Sequence, residues 1–179
     1  MSTTTPNSPK TSDLRQGGIW LGIDPGSRVT GYALLEDLGQ RVRVLEYGVF
    51  RAKEGDPLES RILQIATPLK QRIEQYRPDH LVMESAFVQK NVRSALVLGH
   101  VRGAVMLLAA QEGIPFSELS PASVKQAVTG KGAADKQTVA WMMQRHLQLV
   151  ELPSPADASD ALAIAWAGLT ASRNPLAGR

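Results

Sequence analysis

The sequence predicts a single α/β domain built on a mixed five-stranded sheet flanked by helices. Its apolar segments follow the order β-β-β-α-β-α-β-α, which is typical of a sheet with helices on its faces. The 179 residues are 43% hydrophobic and 21% charged, the proportions of an ordinary globular protein. Because a chain of this length falls within the size range of one domain, we expect one contiguous folded unit.

Three short strands open the predicted domain. The apolar run at residues 19–24 predicts a buried strand, and the Pro-Gly-Ser turn at 25–27 leads to a second strand at 30–35. Residues 43–50 have the apolar content of a third strand after a turn at Gly39. Three short strands in succession favour an antiparallel meander.

Helices and strands alternate in the rest of the chain. Apolar residues recur every three or four positions between residues 57 and 76, which predicts an amphipathic helix that Pro78 stops. The elements that follow are a short strand, a long helix, a strand and three further helices, at residues 81–84, 92–112, 115–119, 120–128, 136–149 and 154–171.

Composition also predicts the domain boundaries. Residues 1–17 are polar and aperiodic and are expected to form a flexible tail, residues 173–179 a second short tail, and residues 18–172 the domain. The first segment lacks the apolar stretch of a secretory signal, and no run of about 18 uncharged apolar residues suggests a membrane span. With no cysteine in the chain, we expect a cytoplasmic protein without membrane association.

Four acidic residues lie at the ends of apolar segments, where a charge is costly. Asp24 ends the first strand, Glu84 ends the fourth, and Asp157 and Asp160 open the last helix. Carboxylates are rarely buried unless they are paired or bind a cation. Because hard cations take oxygen ligands from several elements, the four residues predict a site for Mg²⁺ or Mn²⁺, with two ions per active site.

Two of these acids have a structural alternative. Asp-Pro-Gly at residues 24–26 is a good turn initiator. Residues 154–157 match a capping box, with Ser154 as the N-cap, Pro155 at the first helical position and Asp157 as the acid at the third. Asp160 has no such explanation. It lies three residues after Asp157 on one helix face, so the two like charges repel each other unless a cation is present.

Five motifs, in the same order, resemble those of RuvC-type Holliday junction resolvases. They are LGIDPGSRVTGY at 21–32, MESAF at 83–87, KNVRSALVLG at 90–99, SVKQ at 123–126 and DASDALA at 157–163. The resemblance spans about residues 19–170. It implies an RNase H-like fold and a homodimeric endonuclease that nicks opposing strands of a four-way DNA junction in recombination and repair, with RuvA and RuvB as partners.

The resemblance also implies roles for single residues. It makes Asp24, Glu84, Asp157 and Asp160 the metal ligands, places the catalytic lysines Lys125 and Lys136 near the scissile strand, and makes Phe87 an aromatic that stacks on a base. DNA phosphates require cations spread along the strands, although for any one of them a solvated surface position is the alternative. The candidates are Arg28, Lys90, Arg93, Arg102, Lys125, Lys131, Lys136 and Arg145.

The long helix at residues 92–112 has more than one apolar face. Gly99 and Gly103, four residues apart, would permit close approach of another backbone. The helix is therefore either buried centrally in the domain or part of a two-fold interface between two copies of the chain.

Other functions share parts of these patterns. Residues 24–31 also resemble the first phosphate loop of actin-like sugar kinases, which would make the chain a phosphotransferase, although the second such half of those enzymes is missing. An RNase H-like nuclease acting on another nucleic acid would use the same chemistry on a different substrate. A non-catalytic junction-binding module would have no use for the four acids.

Overall fold

The computed structural model describes residues 17–85 and 92–173. One mixed sheet is formed by five strands, which are β1 (Gly18–Asp24), β2 (Val29–Asp37), β3 (Val42–Arg51), β4 (His80–Glu84) and β5 (Phe116–Leu119). Their order across the sheet is β3-β2-β1-β4-β5. The first three strands form the predicted antiparallel meander, and β4 and β5 extend it in parallel with β1. The predicted mixed five-stranded sheet is confirmed.

Five helices flank this sheet within the described residues. They are α1 (Leu58–Tyr76), α2 (Val92–Gln111), α3 (Pro121–Thr129), α4 (Lys136–Leu147) and α5 (Ala156–Arg173). α1, α2 and α3 end within a residue or two of where the sequence predicts. α4 ends two residues earlier than predicted, because Gln148 adopts a left-handed conformation with φ of 53° and donates its N–H to the carbonyls of Arg145 and Gln144.

The end of α5 differs from the prediction. Residue 173 was expected to begin a tail, but Arg173 belongs to α5 and forms an ion pair with Asp37, which is buried at the end of β2. A buried carboxylate needs such a partner. Helix α5 therefore includes residue 173, two positions beyond the predicted end of the helix at residue 171.

Side chains alternate between the two faces of the sheet along each strand, and the apolar core is divided between these faces. Trp20 on β1 packs with α5, α4 and α3, whereas the neighbouring Leu21 and Ile23 pack with α1 and α2. On β4, Val82 belongs to the first set and Met83 to the second. Successive side chains point to opposite faces of a strand, so each inner strand contributes to both halves of the core.

Glycines allow α5 to lie directly on the sheet. A methyl group at Gly22 on β1 would lie 2.4 Å from the carbonyl oxygen of Ala161, and one at Gly31 on β2 would lie 2.0 Å from that of Asp157. Neither distance is possible for a real side chain, so both positions require glycine. This contact fixes the first turns of α5, and with them Asp157 and Asp160, above the end of β1.

Helix α2 is buried along one face only. Val101, Val105 and Leu108 are buried against the sheet, whereas Leu96 and Leu107 are 61% and 58% exposed. The alternative of a centrally buried helix is therefore wrong. Among residues 17–85 and 92–173, α2 is the one helix that is long and apolar enough to cross a membrane. A single such helix is weak evidence for a membrane span, since core helices of water-soluble proteins pass the same test.

Candidate active site

The parallel pairing of β1 and β4 brings two of the predicted acids to the same edge of the sheet. Ile23 pairs with Met83, so Asp24 and Glu84 follow at adjacent strand ends. Ile23 and Met83 face α1 and α2. Because side chains alternate along a strand, the carboxylates of Asp24 and Glu84 face the opposite side, where α5 lies.

The turn after Asp24 is closed by a buried hydroxyl. Thr30 on β2 donates its Oγ1 hydroxyl to the carbonyl of Gly26 at 2.7 Å and accepts from the Gly26 N–H at 3.2 Å. The Asp24 carboxylate itself accepts no hydrogen bond from any described residue. Thr30 therefore supports the turn that was offered as the alternative role of Asp24, which leaves the Asp24 carboxylate available for another function.

The first turn of α5 supplies the other two acids. The N–H groups of Ala158 and Ser159 donate to the carbonyl of Pro155, and no side chain of residues 154–157 caps the helix with a hydrogen bond to another described residue. The capping-box alternative for Asp157 therefore has no support in the structure. Asp160, one turn further on, pairs with the Lys136 ammonium at 2.7 Å.

Lys136 occupies an electrostatically unfavourable position on α4. It is the first residue after the N-cap Asp135, whose carboxylate accepts from the Thr138 N–H at 2.8 Å. The N-terminal end of a helix dipole repels a cation, so the pairing of Lys136 with Asp160 offsets a local cost. That a lysine stands here points to a role for its charge in the adjacent site.

These groups meet in one cavity of about 250 Å³. Its charged lining consists of Asp24, Glu84, Asp160, Lys125 and Lys136, and side chains of α3, α4 and α5 supply an apolar floor. The sequence predicted all five charged residues. It did not predict the floor residues, which are Pro121, Val124, Val139, Ala163 and Ile164.

The electrostatics of the cavity favour the binding of positive charge. The pKa of Asp24 is raised from 3.8 to about 7, first by burial and then by repulsion from Asp160, Glu84 and Asp157, while Lys136 lowers it. The pKa of Glu84 is raised first by burial and then by repulsion from Asp160. The hydrogen bond to Asp160 raises the pKa of Lys136. The negative charge of the four carboxylates therefore exceeds the positive charge of the two neighbouring lysines.

The donor set fits a hard divalent cation by its chemistry. All four acids offer carboxylate oxygens, the ligands that such cations prefer, and their mutual repulsion would be relieved by a cation. No group of three or more acidic or histidine side chains in residues 17–85 and 92–173 is gathered tightly enough to hold a metal as the side chains stand. The carboxylates would have to draw together to bind one.

Most predicted phosphate-binding residues lie outside this cavity. Arg28 is exposed and pairs with Glu54 at 2.7 Å; Arg93 and Lys131 are exposed on α2 and after α3. Arg145 lies over the ring of Trp141 at 4.7 Å. Phe87 and Lys90 lie outside the described residues.

The prediction that Arg102 contacts DNA is wrong. Its side chain is only 10% exposed and donates to the carbonyl of Glu84 and to the carboxylate of Glu118. A guanidinium held in this way cannot reach a phosphate. The feature of the sequence that indicates a buried position is the place of Arg102 on the apolar stripe of α2, between the buried residues Val101 and Val105.

Comparison with known proteins identifies one family. A family model described as crossover junction endodeoxyribonuclease RuvC matches residues 20–167. The chain is 43% identical over 147 residues to the RuvC of Desulforamulus reducens, covering 82% of this chain and 90% of that one. It is 45% identical over 152 residues to the RuvC of Chlorobaculum parvum, covering 85% of this chain and 81% of that one.

Solved structures agree with the sequence relatives. Thermus thermophilus RuvC in complex with a Holliday junction substrate matches with a TM-score of 0.80 and 29% identity, covering 87% of this chain and 95% of that one. Another Thermus thermophilus RuvC structure matches with a TM-score of 0.79 and 32% identity over the same shares. The fold is therefore the RNase H-like fold of these proteins.

The raised pKa of Asp24 predicts that, in EDTA, the stability of the protein falls as the pH rises from about 4 to about 7. A folded state with a raised carboxyl pKa binds more protons than the unfolded chain in this window and loses stability as they dissociate. The whole shift would correspond to about 4 kcal/mol. Because Asp24 is partly exposed and solvent screens its charge, we expect the free energy of unfolding to fall by only roughly 1–3 kcal/mol across this window. Urea unfolding at about pH 4 and at about pH 7 measures the difference.

The Asp24→Asn variant is the matched control for this titration. It removes the titrating group, so its unfolding free energy should fall less across the window and should exceed that of the wild type at the alkaline end. Equal pH dependence in the two proteins would show that Asp24 is not destabilised as described.

Proposed function

Because the chain belongs to the RuvC family of crossover junction endodeoxyribonucleases, we propose that the cavity lined by Asp24, Glu84 and Asp160 is its active site. The chain is a nuclease that hydrolyses phosphodiester bonds and resolves Holliday junctions. The observation that carries the assignment of the site is that Asp24, Glu84 and Asp160, from β1, β4 and α5, line one cavity within the region that the family model matches.

The proposed metal ligands are Asp24, Glu84, Asp157 and Asp160. The family is one of divalent-metal-dependent nucleases, and we propose two Mg²⁺ or Mn²⁺ ions in each site because four carboxylates exceed what one such ion needs. When bound, such ions lower the pKa of the attacking water and offset the charge that develops on the phosphate.

The two lysines of the cavity are proposed to hold the scissile phosphate. Lys136 pairs with Asp160 through a side chain that is 77% exposed, so its ammonium can turn from this carboxylate to a phosphate oxygen. Lys125 approaches the same cavity from α3. Both cations stabilise negative charge that increases during hydrolysis, which gives them a catalytic role beside the four acids.

Further DNA contacts are proposed for exposed basic residues around the site. Arg28, Arg93 and Lys131 belong to different elements and are exposed, as residues that follow a phosphate backbone must be. Phe87 is proposed to stack on a base and Lys90 to bind phosphate, by resemblance to the family alone.

A homodimer is proposed through the outer face of α2. This face exposes Leu96, Met106 and Leu107, and a methyl group at Gly99 or Gly103 would meet no atom within 4 Å, so a second backbone could approach closely. A two-fold dimer would present two active sites to the two opposing strands of a junction. RuvA and RuvB as partners, and a cytoplasmic location without a membrane, are proposed from the resemblance and composition.

The family match argues against one of the two remaining alternatives. It spans residues 20–167, so the likeness of residues 24–31 to a kinase phosphate loop does not indicate a phosphotransferase. A nuclease that prefers another nucleic acid would share the site and is distinguished by its substrate.

The Asp24→Asn variant tests the proposed active site. Loss of one ligand should lower cleavage of an immobile four-way DNA junction by at least about 10²-fold, whereas junction binding should be largely kept, because phosphate contacts supply most of the affinity. End-labelled strands, with Mg²⁺ or Mn²⁺ and an EDTA control, measure cleavage, and gel shifts measure binding.

A linear duplex, a replication fork and an RNA–DNA hybrid of matched sequence serve as substrate controls. Paired symmetrical nicks confined to the junction are expected. Cleavage of the junction by Asp24→Asn at the wild-type rate would overturn the site, and preferred cleavage of the hybrid would overturn the substrate.

A charged substitution on the outer face of α2 tests the proposed dimer. Leu107→Glu should convert a wild-type dimer into a monomer in analytical ultracentrifugation, because a carboxylate would be buried in an apolar interface. Val150→Glu is the matched control, since Val150 is 96% exposed on a different surface. A monomeric wild type, or a Leu107→Glu protein that stays dimeric at the same concentration, would contradict the proposed interface.

A further inference from the structure

A buried arginine connects α2 to the end of β4. Arg102 is 8% exposed as a residue. It donates Nη1–H to the carbonyl oxygen of Glu84 at 2.5 Å and Nη2–H to Oε1 of Glu118 on β5 at 2.5 Å. A buried guanidinium is costly unless its donors are satisfied. These two acceptors lie on neighbouring strands, so one side chain holds together the ends of β4 and β5.

The carbonyl of Glu84 has no partner on the neighbouring strand. Leu81 and Ser85 donate their N–H groups to the carbonyls of Pro115 and Leu119, on the β5 side. Backbone groups of alternate residues point to opposite neighbours in a ladder, so Glu84 directs its carbonyl towards β1.

The register identifies the residue that would have to donate to this carbonyl. Ile23 pairs with Met83, so the next donor position on β1 is Pro25. Proline has no backbone N–H. The turn that presents Asp24 thereby removes the ladder partner of Glu84, and the guanidinium of Arg102 takes its place. An unpaired carbonyl here would leave the end of β4 free to move.

The guanidinium acts from the face opposite to the proposed metal ligands. The Glu84 carboxylate faces α5, whereas Arg102 approaches from α2, on the other side of the sheet. Arg102 is absent from the charged lining of the cavity. Arg102 therefore does not line the site. It acts on Glu84 through the hydrogen bond to the backbone carbonyl, and its positive charge also lowers the pKa of the Glu84 carboxyl.

We propose that Arg102 is a positioning residue, which fixes the backbone at the end of β4 so that the carboxylate of Glu84 is held in place as a metal ligand. The inference rests on the proposed role of Glu84. Groups that orient a metal ligand without touching the metal typically affect affinity by about 10–100-fold. Loss of Arg102 should weaken divalent-ion binding by a factor in that range.

The test is a double-mutant cycle on Mn²⁺ affinity, measured by calorimetry on the full chain without DNA. Arg102→Met should weaken Mn²⁺ binding about 10-fold or more in the wild-type background. In the Glu84→Gln background, Arg102→Met should have little further effect on Mn²⁺ affinity, because the carboxylate that Arg102 positions is already absent. A merely structural role of Arg102 would weaken binding equally in both backgrounds and would overturn the inference.

Two further variants keep the test decisive if Arg102→Met does not fold. Arg102→Lys keeps the charge but cannot donate to both acceptors in the geometry of a guanidinium, and it should show an intermediate loss of affinity. Glu118→Gln weakens one anchor of Arg102 at a partly exposed side chain and should show a smaller loss. Unchanged Mn²⁺ affinity in both would also overturn the inference.

The outcomes separate this inference from the proposed function. If Glu84→Gln itself binds Mn²⁺ as the wild type does, the assignment of Glu84 as a ligand fails. If Glu84→Gln weakens binding but the Arg102 and Glu118 variants do not, the ligand assignment stands and only the positioning role is rejected.

Discussion

The close contact of α5 with β1 and β2 is the constraint on which the site depends. At Gly22 and Gly31 there is no room for even a methyl group between strand and helix, so the helix lies directly on the strand backbones. Because of this approach, Asp157 and Asp160 reach the strand ends that carry Asp24 and Glu84. A larger residue at either glycine would lift the helix and separate the two halves of the site, even if every acid were kept.

The same contact creates an electrostatic cost. It gathers four carboxylates at a partly buried edge of the sheet, where burial and mutual repulsion raise the pKa of Asp24 to about 7. Lys136 compensates part of this charge, from a helix N-terminus that itself disfavours a cation. An arrangement that places like charges together and a lysine at the wrong end of a helix serves no purpose in folding. The proposed divalent cation and the phosphate of the substrate would account for this arrangement.

Residue patterns predicted the antiparallel meander, the mixed sheet and the acids of the cavity, because these follow from the order of apolar segments and from carboxylates at their ends. The two lysines of the cavity, Lys125 and Lys136, were predicted only by the resemblance to the family. Details that depend on tertiary contact were not predictable. The left-handed Gln148 ends α4 without a glycine, and Arg173 joins α5 because buried Asp37 needs a partner. Arg102 resembled a surface cation in sequence, and only its contacts with Glu84 and Glu118 reveal a structural position.

The most direct test of the four-acid site is a crystal structure of the chain soaked in Mn²⁺, with anomalous diffraction to locate the ions. Two anomalous peaks are expected in the cavity, bounded together by carboxylates of Asp24, Glu84, Asp157 and Asp160, and both should be lost in Asp24→Asn crystals treated in the same way. Full Mn²⁺ occupancy elsewhere, with none in this cavity, would contradict the assignment of these acids as metal ligands.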